Sequence, residues 1–219
     1  MASTTEENYL KALLSLSNEK HEVNLSVLSE RLGVSKPTVN SMVKNLQQQK
    51  LVDYQKYKPL KLTENGRKMA SLIIRKHRLT EMYLVEKMGF GWEEVHEIAE
   101  QVEHVKSPQF FDRMDELMDF PTVDPHGSPI PDRDGNITAS NSKKLTECLP
   151  GQKVVLTALS YSSKDFLAFL DSRDISLGLS ISIKSVESFD QSMVVSYDQH
   201  PAETLSQKVC TRLLVVTEK

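Results

Sequence analysis

The apolar residues of this chain change period partway along it. Up to about Met118 they recur at three- and four-residue spacing, and beyond about Lys143 they alternate in twos. Between lies a stretch from Phe120 to Ser142 with four prolines, two glycines and a scatter of Asp, Asn and Ser. A period of 3.6 turns one face of a helix inward and a period of two turns one face of a strand inward, so neither pattern satisfies the other geometry. The chain is therefore expected to be mainly α with a small β domain, the two joined by an irregular linker. Its 219 residues suffice for two cores.

Within the helical part, Tyr9, Leu10, Leu13, Leu14 and Leu16 make an apolar stripe behind Glu6 and Glu7, which predicts a helix over about Thr5 to Leu16. A short helix fits Leu25 to Leu32, closed by Gly33. Ser35 then offers an N-cap and Pro37 sits in the first turn of a helix whose Val39, Met42, Val43 and Leu46 recur to about Lys50. The segment "LVDYQKYKPLKLT" alternates on both sides of Lys58-Pro59 and reads as a β-hairpin. Thr63 caps a long helix ending before Gly89, and further helices are expected from about Trp92 to Lys106 and from Pro108 to Met118. The runs "KVVLTAL", "LSISIKSV", "SMVVSY" and "TRLLVV" predict a β domain with the strand spacing of an SH3-like barrel.

Helix, glycine turn, helix and basic hairpin follow in the order of a winged helix-turn-helix. A reading helix must be slender and polar at its exposed N-terminal end to enter the major groove of double-stranded DNA. Ser35, Lys36, Pro37, Thr38, Asn40, Ser41 and Lys44 meet that need, and Lys56, Tyr57, Lys58 and Lys61 with Tyr54 are placed to grip phosphates beside the groove. Charge agrees independently: Arg31 to Lys68 holds nine Lys/Arg against two Asp/Glu, a local +7 hidden in a net −3.

From Glu81 to Asp134 the balance reverses to four basic against fourteen acidic residues. In "VHEIAEQVEHV", His96, Glu100, Glu103 and His104 fall within roughly a quarter of a helix circumference. On the preceding helix, His77 and Glu81 stand at i,i+4. Like charges so placed cost a few tenths of a kcal/mol per pair. Two readings remain open on residues alone: a solvated acidic face, or a site for a divalent cation, whose usual ligands are carboxylate and neutral imidazole.

Other classes are disfavoured. No H-E-x-x-H occurs, so a zinc hydrolase is not indicated and the chain is not expected to be an enzyme. Two cysteines, Cys148 and Cys210, without C-x-x-C give neither a disulfide framework nor a zinc ribbon. Apolar runs are too short for a bilayer and "MASTTEENYL" lacks a signal-peptide core, so no membrane association is expected and the cytoplasm is the expected location. A structural nucleoid protein would not need the acidic segment, and a winged-helix regulator of an organic ligand is the better rival.

Taken together, "TTEENYL", "VSKPTVNSMVKNL", "LTENGR", "RKHRL", "VHE" with "EHV", and "PHGSPIP" resemble, in order and over essentially the whole chain, the diphtheria-toxin-repressor family of iron- and manganese-dependent transcriptional regulators. The resemblance implies a winged helix-turn-helix over 1–70, a helical dimerisation and metal domain with its linker over 71–142, and an SH3-like β domain over 143–219. It implies a homodimer whose operator binding is switched on by metal, with dimer contacts from Leu84, Val85, Met88, Phe110, Phe111 and Leu117. One metal site would use Asn8, Glu100, Glu103 and His104; the other would use His77, Glu81 and His96, with Asp165 of the β domain as a further ligand. Iron-responsive members carry Met at the position of Asn8 and Cys at that of Glu100, and manganese-responsive members carry Asp and Glu. This chain has the Glu without the Asp, and a hard carboxylate in place of a soft thiolate favours Mn²⁺, with Fe²⁺ as the alternative.

Overall fold

The computed structural model describes residues 2–19, 22–56, 58–138 and 140–218. Helix α1 (Thr4–Glu19) precedes α2 (Leu25–Leu32) and α3 (Lys36–Gln48), and a two-stranded sheet of β1 (Val52–Asp53) and β2 (Lys61–Leu62) forms the wing. The long α4 (Glu64–Met88), α5 (Val95–Val102) and α6 (Pro108–Leu117) follow. Compactness divides the chain in two. The first unit holds Met1–Thr80, Ile98–Phe120 and Ile130–Thr138, and the second holds Glu81–Glu97, Pro121–Pro129 and Ala139–Lys219.

In the first unit, capping chemistry sets the limits of the reading motif. Asn24 accepts hydrogen bonds from the Ser26 and Val27 amides, opening α2, and Gly33 closes it in the left-handed conformation (φ 64°). Ser35 Oγ accepts from the Thr38 amide at 3.4 Å, with Pro37 in the first turn of α3. Val39, Val43 and Leu46, fully buried, seat α3 against Leu10, Leu13 and Leu14 of α1 in one core with Leu28, Leu51 and Val52. Thr63 caps α4 through its Oγ1 to the Gly66 amide at 3.0 Å, as the sequence predicts. The wing is registered Val52 to Leu62 and Asp53 to Lys61, and Leu60 bridges back to Val23 ahead of α2.

Helix α5 is shorter than its periodicity suggests. Glu103 and His104 lie on the turn that follows it, where the Val105 amide bonds the Val102 carbonyl as the chain runs towards Pro108. Inside this unit Arg75 of α4 reaches Asp115 of α6 at 2.5 Å and the Pro131 carbonyl at 2.7 Å. Both side chains of the ion pair are nearly removed from solvent, at 11% and 6% exposure.

The second unit is built on a six-stranded antiparallel sheet in the order β3-β8-β4-β5-β6-β7. Its strands are β3 (Lys143–Lys144), β4 (Lys153–Leu159), β5 (Ser180–Val186), β6 (Met193–Tyr197), β7 (His200–Leu205) and β8 (Leu213–Thr217). Alternation delivers Val154, Leu156, Ile181, Ile183, Met193, Val195, Leu213 and Val215 to one core with both cysteines, which are free. Burial pushes the Cys210 thiol up to about 12. Two helices escape a reading by twos: α7 (Lys164–Asp171), whose Phe166, Leu167 and Leu170 cover the sheet core, and the short α8 (Gln207–Cys210). β7 was also not legible, because Pro201 interrupts its pattern.

The proline-rich segment is not a loose tether. Asp124 Oδ1 accepts from the amides of His126 (2.8 Å) and Ser128 (2.9 Å), closing a tight turn. The Leu159 amide donates to the His126 carbonyl at 2.9 Å, so the turn is pinned to the end of β4. Gly127 makes that approach possible: its φ is +81°, and a Cβ there would stand 2.2 Å from the Thr157 carbonyl oxygen. Among the described residues no helix is long and apolar enough to cross a membrane.

The Arg75–Asp115 pair yields a stability test. Asp115→Ala leaves the guanidinium buried without its carboxylate, and such truncations cost about 3 kcal/mol or more. The urea midpoint of the first unit should fall accordingly, and a shift below about 0.5 kcal/mol would show the pair to be solvent-screened.

Candidate functional site

α1 brings two charged side chains to the turn after α5, both within the first unit. Glu7 Oε2 lies 2.6 Å from His104 Nδ1, and Lys11 Nζ donates to Glu103 Oε2 at 2.7 Å. Glu103 is 1% exposed. Burial alone would raise its carboxyl, but the hydrogen bond from His77 and the charge of Lys11 outweigh that and hold it below the ordinary carboxylate value. His77 Nδ1 approaches the same Glu103 oxygen at 2.5 Å, with Lys11 Nζ at 3.2 Å. Glu100 is exposed and sits 4.0 Å from the Lys11 ammonium, and Asn8 is exposed on α1.

Tautomers follow from these partners. A carboxylate only accepts, so His104 Nδ1 donates to Glu7 and a neutral ring then carries its lone pair on Nε2. That nitrogen lies 3.7 Å from Glu103 Oε1, too far for a hydrogen bond and a spacing that a shared cation would fit. Glu7 then orients a ligand rather than being one, the usual arrangement behind a metal-bound imidazole. The sequence marked Glu7 only as an acidic first turn.

The second unit repeats the arrangement around Glu81, which the sequence reading named, with two residues it missed, Asp124 and His126. Glu81, Asp124 and His126 place one ligand atom each within 4.8 Å of one another, at 2%, 4% and 3% exposure. His126 Nε2 donates to the Trp92 carbonyl at 2.9 Å, which leaves the Nδ1 lone pair facing Glu81 Oε2 at 3.9 Å. Trp92 stacks on the His126 ring and is itself held by Asp171 of α7 through Nε1 at 2.9 Å. His96, half exposed, meets Glu81 Oε1 at 3.1 Å. Asp165 is exposed on the first turn of α7 and is not part of this cluster. The signal for Asp124 and His126 was present in "DPHGSP", where a turn-forming Asp and a His flank a glycine.

On the reading surface, Ser35, Lys36, Pro37, Thr38, Ser41 and Lys44 are exposed, as are Lys56 and Lys58 of the wing loop. Asn40 is half-buried and its Oδ1 accepts from the Tyr54 hydroxyl at 3.0 Å, tying reading helix to wing. Tyr57 lies outside the described residues. Of the apolar residues expected at a dimer contact, Leu84 and Phe111 are buried within the chain, whereas Met88, Phe110 and Leu117 are exposed.

The donors of both clusters are oxygen and imidazole nitrogen, a set that fits a divalent first-row cation. Comparison with known proteins agrees. Residues 1–60 match the N-terminal DNA-binding domain of iron-dependent repressors, and residues 63–132 match their metal-binding and dimerisation domain. The chain is 36% identical over 159 residues to the iron-dependent repressor IdeR of Mycobacterium leprae, covering 69% of each. It is 32% identical to the diphtheria toxin repressor of Corynebacterium diphtheriae over 73% of this chain and 69% of that one. A manganese-dependent transcriptional repressor solved in complex with manganese superposes with a TM-score of 0.88 at 31% identity, over 97% of this chain and 100% of that one. The chain thus belongs to the iron-dependent, or diphtheria-toxin, repressor family of metal-dependent DNA-binding transcriptional repressors, which are not enzymes.

Proposed function

We propose that this chain is a Mn²⁺-activated repressor of metal-uptake genes that binds its operator as a homodimer. The observation carrying the metal reading is the pair of imidazoles, His104 and His126, each locked as a donor at one nitrogen and facing a buried carboxylate with the other, at 3.7 and 3.9 Å. Mn²⁺ is favoured because no thiolate joins either donor set: Cys148 and Cys210 are both buried in the β core. Fe²⁺ is the second reading, supported by the iron-dependent relatives.

In the first centre Glu100, Glu103 and His104 would hold the ion, with Asn8 offering an amide oxygen. In the second, Glu81, Asp124 and His126 would do so, with His96 beside Glu81. Glu100, Glu103 and His104 lie on or beside the turn after α5 and Asn8 on α1, so an ion held by all four would add a positive charge that ties α1 to that turn. Glu7 keeps His104 in its ligating tautomer, and Lys11 neutralises Glu103 meanwhile. On DNA, Lys36, Lys44, Lys56 and Lys58 would meet phosphates, and Thr38, Ser41 and the Asn40 amide nitrogen would reach base edges. Phe110 and Leu117 of α6 provide exposed apolar surface for the dimer.

Gel retention of DNA upstream of the protein's own gene and of neighbouring metal-transport genes tests the switch. Salt is held fixed because phosphate contacts make affinity salt-dependent. Retention should be absent in chelator and appear at lower Mn²⁺ than anaerobic Fe²⁺. Equal or better response to Fe²⁺ would replace the metal, and tight retention in chelator unchanged by either ion would sink the switch.

Lys11 makes a second expectation concrete. Its ammonium sits on Glu103 Oε2, beside the Oε1 that a metal at His104 would recruit, so a positive charge must be displaced or tolerated. Lys11→Met should tighten Mn²⁺ binding by roughly tenfold, a modest share of the Coulomb term at this range. Equilibrium dialysis measures it, and weaker binding would mean that Lys11 shapes the site instead of competing for it.

A further inference from the structure

Glu6 belongs neither to the metal ligands nor to the DNA-facing residues, yet it is one of the few buried charged side chains of the first unit, at 8% exposure. Its two oxygens face different elements. Oε2 accepts from the Ser3 amide at 2.7 Å, and the Glu6 amide donates back to Ser3 Oγ at 3.3 Å, which is a capping box opening α1. Oε1 accepts from Asn45 Nδ2 at 2.7 Å and from Gln49 Nε2 at 2.5 Å. Asn45 stands in the last turn of α3 and Gln49 is its C-cap residue.

A cap needs only the first set of contacts. The second is costly as local design, because it sets a carboxylate at the negative end of the α3 dipole. It does, however, join α1 to the reading helix by a charged acceptor with two donors, stronger than neutral hydrogen bonds. The neighbouring residue on α1, Glu7, holds His104, and Lys11 one turn on holds Glu103. One rigid turn of helix thus grips the metal-side turn with one side chain and the far end of α3 with the next. α3 is a rod of 13 residues, about 20 Å long, so a small movement of its C-terminal end re-aims the N-terminal end that enters the groove.

We propose that Glu6 is the positioning residue that carries metal occupancy from α1 into the reading helix, through Asn45 and Gln49. The inference rests on the metal-switch reading and adds to it the identity of the link. Linkage then requires that the ratio of DNA affinities with and without metal depend on this contact.

The experiment uses the full chain and measures operator affinity in chelator and at saturating Mn²⁺ for wild type, Glu6→Ala, the double variant Asn45→Ala/Gln49→Ala, and all three together. Mn²⁺ affinity without DNA is measured alongside. Because Glu6→Ala also removes a cap, the double variant approaches the same contact from α3 with the cap intact. A wild-type ratio of roughly 5–150-fold, the usual span of allosteric coupling, is expected to fall about tenfold or to near one in each variant, and equally in the combination, since residues of one contact are not additive. Mn²⁺ affinity without DNA should stay within about threefold of wild type, a small change beside that coupling. An unchanged ratio in the double variant would overturn the link and leave Glu6 a cap; additive losses would overturn it as well. A wild-type ratio of one would instead remove the metal switch itself, and the link with it.

Discussion

A carboxylate withdrawn from water has to find a positive charge or several donors, and this requirement organises the first unit. Glu103 is buried on the turn after α5, and its partners come from far along the chain: Lys11 from α1 and His77 from α4. Leaving such a charge unpaired costs several kcal/mol, more than any single apolar contact in the unit returns. The three segments are thus held to one point by electrostatics as well as by the leucine core beside it. Lys11 thus neutralises Glu103 from within the chain, and under the proposed switch a metal would compete with an internal cation instead of filling a void.

That competition gives α1 its importance. Its apolar face, Tyr9, Leu10, Leu13 and Leu14, packs in one core with Val39, Val43 and Leu46 of α3. Its polar residues are divided between Glu7 and Lys11 on the metal side and Glu6 on the α3 side. A helix with both attachments converts a local change of charge into a change of pose without any new element. Coupling of 1–3 kcal/mol is enough for a regulator, and one charge-assisted contact is of that order.

The helices were legible because their signals are local. Gly33, Ser35-x-Pro37 and Thr63 each fix an end within one turn, and the apolar stripes between them need no knowledge of the rest of the chain. The sites were legible only as far as residue type and helical spacing reach: His104, Glu103 and Glu100 stand close in sequence, and so do His77 and Glu81. What stayed hidden depends on tertiary partners. Asn40 reads as a base contact by type and place, and only the fold shows that Tyr54 also holds its carbonyl oxygen. Glu7 and Glu6 read as an acidic first turn until His104, Asn45 and Gln49 are brought to them from 97, 39 and 43 residues away. α7 was masked by the strong two-residue pattern around it.

The proline-rich segment shows why composition misleads in one direction. Pro, Gly, Asp and Ser exclude regular elements because they remove donors, free φ or offer side-chain acceptors to the backbone, but none of these properties demands exposure. Here Asp124 spends one oxygen on the His126 and Ser128 amides, so the turn satisfies its own backbone and can be buried. Gly127 permits it to lie against β4, and the Leu159 amide fixes the His126 carbonyl. With its main chain held from one side and its ring from the other by Trp92, His126 has little freedom left. A side chain so constrained keeps its Nδ1 edge towards Glu81 Oε2, 3.9 Å away, and the turn that the composition marks as a linker thereby presents a buried donor atom at a fixed place.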